Sequence, residues 1–139
     1  MTDTLTTRIS ASFDRQAMMT TLGARLHSVA PGTVQITAPI LPGSTQQQGH
    51  GHAALTFAIG DSAAGYSALT MLPDDHEVVT AEIKINLLAP ARGDLLIATG
   101  RVIKPGRKLI IVTSEVVART GDQEKLVAIL QGTMVPVPL

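Results

Sequence analysis

The stretch His52-Ala-Ala-Leu-Thr-Phe-Ala-Ile-Gly-Asp61-Ser-Ala-Ala-Gly-Tyr-Ser-Ala-Leu-Thr70 is apolar or small on nearly every side of a helical projection. A helix of that kind is not laid on a surface with one face in water, so the rest of the chain must enclose it. The polar run Gly43-Ser-Thr-Gln-Gln-Gln-Gly-His-Gly-His52 leads into it as a loop, and Pro73 marks its end. Its length approaches that of a membrane span. A mid-span aspartate, two glycines, several hydroxyls and a strand-rich remainder instead point to a buried core helix.

The enclosing material reads as strands. Ala24 to Ala30 and Thr33 to Ile40 flank Pro31-Gly32, a pair suited to a tight turn. After the solvated loop Asp74-Asp-His-Glu77, the residues Val79, Ala81, Ile83, Ile85 and Leu87 alternate with Thr80, Glu82, Lys84, Asn86 and Leu88, which predicts a strand with one apolar face. Strands follow over Asp94 to Ile103, Lys108 to Arg119 and Lys125 to Val135, separated by Pro105-Gly106 and Gly121-Asp122. Their short connections make an antiparallel meander. The expected architecture is an α+β domain, an antiparallel sheet of about six strands wrapped around one long helix. All 139 residues form one domain on this reading, with residues 1–20 as an extension carrying a short helix from Ala11 to Thr20 whose Phe13, Ala17 and Met18 share a face. The strand from Val79 to Leu88 is placed at an edge, where it invites pairing with a second copy.

Composition narrows the function classes. Charged residues make up 16% of the chain, against roughly 25% in an average soluble domain, so part of the surface is expected in an oligomer interface. Eleven basic side chains balance eleven acidic ones, and aromatics are 2%, which offers neither a basic field for phosphates nor platforms for bases; no nucleic-acid partner is expected. The absence of cysteine removes thiolate nucleophiles and thiolate metal sites. His50 and His52 are too few for a metal, and the acidic loop lacks an oxygen cage, so no metal and no cofactor is predicted. The first residues carry no apolar run, and a cytoplasmic setting without membrane insertion is the expectation.

Asp61 is the place to look for chemistry. A charge in such apolar surroundings costs several kcal/mol of desolvation unless something compensates, so it serves either as a structural acid bonded to nearby backbone or as a group whose shifted pKa does chemistry. His52 lies nine residues earlier. At about 1.5 Å and 100° per residue, the two are ~13 Å apart along one helix and on opposite sides. One chain cannot bring both to one reacting atom; if they share a reaction, two chains must supply them. The helix N-terminus, with unpaired N–H groups and a positive dipole end, suits a carbonyl oxygen that becomes an oxyanion.

Several segments carry a family resemblance: Gln46-Gln-Gln-Gly-His-Gly-His52-Ala-Ala, Gly60-Asp61-Ser-Ala-Ala-Gly65-Tyr, Val79-Thr80-Ala-Glu-Ile-Lys-Ile-Asn86-Leu-Leu-Ala-Pro90, Lys104-Pro-Gly-Arg107 and Val127-Ala-Ile-Leu-Gln-Gly-Thr133. In this order and spacing, over residues 20–135, the chain resembles the hotdog-fold acyl-CoA thioesterases of the PaaI type. The resemblance implies a hotdog fold, hydrolysis of an acyl-CoA thioester, and a homodimer or a dimer of dimers, with coenzyme A belonging to the substrate. The family's His-Gly-Gly falls on His52-Ala53-Ala54, which implies that the Ala53 N–H holds the thioester oxygen, with Ala54 beside the substrate. Asp61 falls on the opposite subunit's general base or nucleophile, Gln46 on a polar amide near the thioester, and Thr80 on a hydroxyl that positions water. The departure is Ala53-Ala54 for Gly-Gly, which keeps the N–H donor but adds two methyl groups. Lys104, Arg107 and Lys108 either hold the coenzyme A phosphates or form an ordinary exposed hairpin tip. A non-catalytic acyl-CoA binding protein and an enoyl-CoA hydratase or dehydratase are the alternative functions.

Overall fold

The computed structural model describes residues 3–139. The apolar segment forms helix α3 (Ala53–Leu69), preceded by α1 (Thr4–Asp14) and α2 (Ala17–Thr21). The strands are β1 (Arg25–Ala30), β2 (Thr33–Ala38), β3 (His76–Leu87), β4 (Leu95–Pro105), β5 (Ile110–Thr120) and β6 (Gln123–Pro138). They form one antiparallel sheet in the order β1-β2-β4-β5-β6-β3. The β4-β5-β6 meander is as expected from the turns, and Gly32 in the β1–β2 turn and Gly121 in the β5–β6 turn sit at positive φ. The chain leaves β2, runs through α3 and returns on the far side as β3, which leaves β3 paired on one side only.

Helix α3 lies in the hollow of this sheet, with Leu55, Ile59 and Ala63 buried against Ile36, Leu96, Ala98, Val116 and Leu130. Helix and sheet touch so closely at Gly100 that a Cβ there would collide with the Ala63 carbonyl, which makes glycine necessary at that point of β4. No helix among the described residues is long and apolar enough to cross a membrane.

Two expectations are corrected. The alternation of β3 is not continuous, because Ala81 is an extra residue where the pairing with β6 shifts between Thr80 and Glu82. A one-residue bulge reverses the side-chain phase. Ile83 and Ile85 therefore pack on the core, but above the bulge Val78 packs there instead of Val79. Val79 and Leu87 are exposed, at 50% and 55%. The single helix expected over Ala11 to Thr20 is two short helices, interrupted at Arg15 and Gln16. Their buried residues are Ile9, Phe13 and Met19, whereas Ala17 and Met18 face outward. The break resets the helical phase, so a projection continued through it picks the wrong face.

The N-terminal helices are fastened to α3 by Arg8. Its guanidinium donates to the carbonyls of Leu72 (2.7 Å), Pro73 (2.8 Å) and His76 (2.8 Å), with a longer bond to Leu69 (3.4 Å). These carbonyls lie at the C-terminus of α3 and in the turn beyond it, the negative end of the helix, where a cation is favoured. Arg8→Ala should lower stability by about 2 kcal/mol, the range for hydrogen bonds to a charged group. A urea titration of both proteins checks this.

Candidate active site

Two recesses on α3 hold the residues that the sequence singles out. The first, about 490 Å3, lies at the start of the helix and is lined by Gln46, His52, Ala53 and Thr56 on one side and by Leu87 to Ala91 and Val127 on the other. His52 is the N-cap, extended at φ −65° and ψ 146°, and its Nδ1 accepts from the Ala54 N–H at 2.8 Å. An accepting Nδ1 puts the proton of the neutral ring on Nε2. The Leu55 N–H donates to the His52 carbonyl at 3.0 Å and the Thr56 N–H to the same oxygen at 3.4 Å. The Ala53 N–H has no acceptor among the described residues. It is the open donor at the positive end of α3. Gln46 stiffens the loop before it: its Oε1 accepts from the N–H of Gln48 at 2.5 Å and of His50 at 3.2 Å.

The second recess, about 160 Å3, is lined by Gln16, Asp61, Ser62, Gly65, Tyr66, Glu77, Val78, Thr80 and Met134. Asp61 is half-buried there. Burial holds its pKa above the ordinary value of 3.8, opposed by the hydrogen bond from Thr80, whose Oγ1 donates to Asp61 Oδ1 at 2.8 Å. That bond exists because of the bulge at Ala81: without the extra residue, Thr80 would keep the outward phase of Glu82 and Lys84. Among the described residues the carboxylate is thus held by a single donor and has no cation against it. Such a group is destabilised in its charged form and correspondingly basic.

The structure brings Asp61 and Thr80 together, and separately Gln46, His52 and Ala53; Ala54 is hydrogen-bonded to His52 but does not line the recess. The structure does not bring the two sets into one recess of a single chain.

Residues 48–125 match the thioesterase superfamily. The chain is 34% identical to a thioesterase family protein from Silicibacter pomeroyi, over 97% of this chain and 99% of that one, with a TM-score of 0.94. The chain belongs to the thioesterase superfamily. The sheet wrapped around α3 is the superfamily's hotdog fold, shared with the PaaI protein of the phenylacetic acid degradation operon of E. coli (22% identity, 96% of this chain and 93% of that one, TM-score 0.86). A thioesterase from Haemophilus influenzae has the same fold (20% identity, 92% of this chain and 87% of that one, TM-score 0.82). No curated protein matches.

In this thioesterase-superfamily chain, Lys104, Arg107 and Lys108 sit exposed at the β4–β5 tip. The register runs across the sheet from Pro105 to Ile110, Met134 and Thr80, so this basic tip lies toward the Asp61 end of the molecule. Two residues of the Asp61 recess, Gln16 and Met134, carry no local signal in the sequence. The phenol of Tyr66 accepts from Gln16 Nε2 at 2.8 Å and lies 3.1 Å from Ser12 Oγ, and Met134 Sδ is 3.2 Å from Thr80 Oγ1. The N-terminal segment, which carries no catalytic signature, therefore walls the recess of the carboxylate. Tyr66 follows Asp61 by five residues and belongs to the recognised motif, but nothing local in the sequence links Gln16 or Met134 to it. Among the described residues no three of His, Cys, Asp and Glu cluster as a metal site would require.

Proposed function

We propose that this protein is an acyl-CoA thioesterase whose site is completed by two subunits. The observation that carries the reading is the division of labour on α3: an open N–H donor at Ala53, and a half-buried, basic carboxylate at Asp61 in a different recess. Strand β3 supplies a means of joining them. It is a free edge of twelve residues that passes Asp61 at Thr80 and reaches the Ala53 recess at Leu87, and it exposes Val79 and Leu87 along the way. Antiparallel self-pairing about a twofold axis near Ile83 and Lys84 sets Thr80 of one subunit opposite Leu87 of the other, and with them the two recesses.

In this arrangement the thioester oxygen sits on the Ala53 N–H, where charge develops as the carbonyl becomes tetrahedral. Asp61 of the other subunit attacks the carbonyl carbon or takes a proton from the attacking water. Thr80 orients the carboxylate. Gln46 and His52 shape the entrance, Ala54 secures the cap of the helix beside the substrate, and Lys104, Arg107 and Lys108 are candidates for the coenzyme A phosphates. Release of free thiol from a panel of aliphatic and aryl acyl-CoAs tests the activity. Saturable binding without thiol release would instead favour a binding protein, and water addition to an enoyl-CoA would favour a hydratase.

The pH profile follows from the Asp61 environment. A base must be ionised, so the rate should rise with pH through a pKa above 3.8. Thr80→Val removes the hydrogen bond that favours the ionised form, and the acid limb of the profile should move to higher pH with about a tenfold loss of turnover. An acid limb that stays in place would separate Thr80 from the acting carboxylate.

A further inference from the structure

Thr56 lies three residues after Ala53, on the same side of α3 and about 4.5 Å further along its axis. The residue is only 1% exposed, yet it lines the recess at the helix start, and its Oγ1 has no hydrogen-bond partner among the described residues. A helical threonine ordinarily satisfies its hydroxyl on the carbonyl four residues back. Here that carbonyl belongs to His52 and already accepts from the N–H groups of Leu55 and Thr56, which occupy both of its lone pairs. A buried hydroxyl without a partner is costly and calls for a reason. The opposite wall of the recess is aliphatic, with Leu87, Leu88, Ala89 and Val127, a lining that fits an acyl chain better than the polar pantetheine arm.

We infer that the Thr56 hydroxyl is a specificity determinant that recognises an oxygen substituent on the second or third carbon of the acyl group. This rests on the proposed placement of the thioester carbonyl at the Ala53 N–H. With the carbonyl there, the next carbons of the acyl group run along the helix toward Thr56. A hydroxyl or oxo oxygen on one of them meets Oγ1, which both donates and accepts. An unsubstituted chain leaves Oγ1 as it is now, unpaired.

The test compares hexanoyl-CoA with 3-hydroxyhexanoyl-CoA and 2-hydroxyhexanoyl-CoA, using wild type, Thr56→Val and Thr56→Ser. Wild type should favour one of the hydroxylated thioesters by about tenfold in kcat/KM, the effect of one hydrogen bond that would otherwise go unmade. Thr56→Val has nearly the same shape and should abolish the preference, so that the hydroxylated thioesters are turned over no better than hexanoyl-CoA. Thr56→Ser should retain the preference. The melting temperature of Thr56→Val should not fall, since the change removes an unpaired polar atom. A wild type without preference, a preference that survives in Thr56→Val, or an equal loss on all three substrates would overturn the inference. If none of the three is hydrolysed, calorimetric binding of the corresponding non-hydrolysable thioethers decides. A preference there that is lost in Thr56→Val supports the Thr56 assignment although the hydrolase reading fails, and its absence overturns the assignment.

Discussion

Asp61→Asn should reduce thioester hydrolysis by a factor on the order of 10² or more, the contribution of a positioned base, while the protein becomes more stable at neutral pH. The stability change follows from the direction of the pKa shift. Burial raises the folded-state pKa of Asp61 above 3.8, so the folded protein holds this proton more tightly than the unfolded chain. Such a group contributes stability below the unfolded pKa and loses it as pH rises through the folded one. At neutral pH the wild type therefore carries an ionised carboxylate in a site that disfavours it, and the isosteric amide does not. Asn can still accept the Thr80 hydrogen bond through its Oδ1. The expected pattern is a higher melting temperature for Asp61→Asn at pH 7, with the gap closing as pH falls through the raised pKa of Asp61 and absent below 3.8. Calorimetry across pH and thiol-release assays measure the two effects on one pair of proteins. A variant that hydrolyses at the wild-type rate would remove Asp61 from the reaction, and one that melts lower at pH 7 would contradict the unfavourable environment.

Two inactive variants should restore activity to each other. Ala53→Pro deletes the open N–H at the first helical position, where proline is tolerated because that N–H makes no helix bond. The residue before it is already suitable, since His52 is extended at φ −65° and ψ 146°, the conformation a following proline requires. Asp61→Ala deletes the other half. Each variant alone loses both sites of a symmetric dimer. Unfolded together and refolded as an equal mixture, about half of the twofold interfaces should be mixed, each with one doubly defective site and one intact site. Activity should return to about a quarter of wild type by that count. Mixed dimers confirmed by mass spectrometry but inactive would show that the two groups act within one chain or that one of them does not act.

The sequence by itself determined the enclosed helix, the strands around it and the residue at its centre. A segment apolar on all sides has one stable place, inside a sheet that wraps it, and a lone carboxylate in that segment stands out whatever the surrounding fold. The turns at Pro31-Gly32, Pro105-Gly106 and Gly121-Asp122 announced the hairpins because their backbone geometry is local. The family was legible because His52 and Asp61 stand nine residues apart on a motif that continues through Tyr66.

The tertiary structure decided what depends on partners distant in sequence. Period-two alternation gave β3 a single apolar face, whereas the bulge at Ala81, set by the pairing with β6, turned Val78 onto the core and brought the Thr80 hydroxyl to Asp61. The N-terminal helices pack through Ile9, Phe13 and Met19, Arg8 ties them to the turn after α3, and Gln16 comes to the wall of the carboxylate recess. The unpaired hydroxyl of Thr56 was invisible for the same reason. Only the folded helix start shows that the carbonyl which would have satisfied it is already taken.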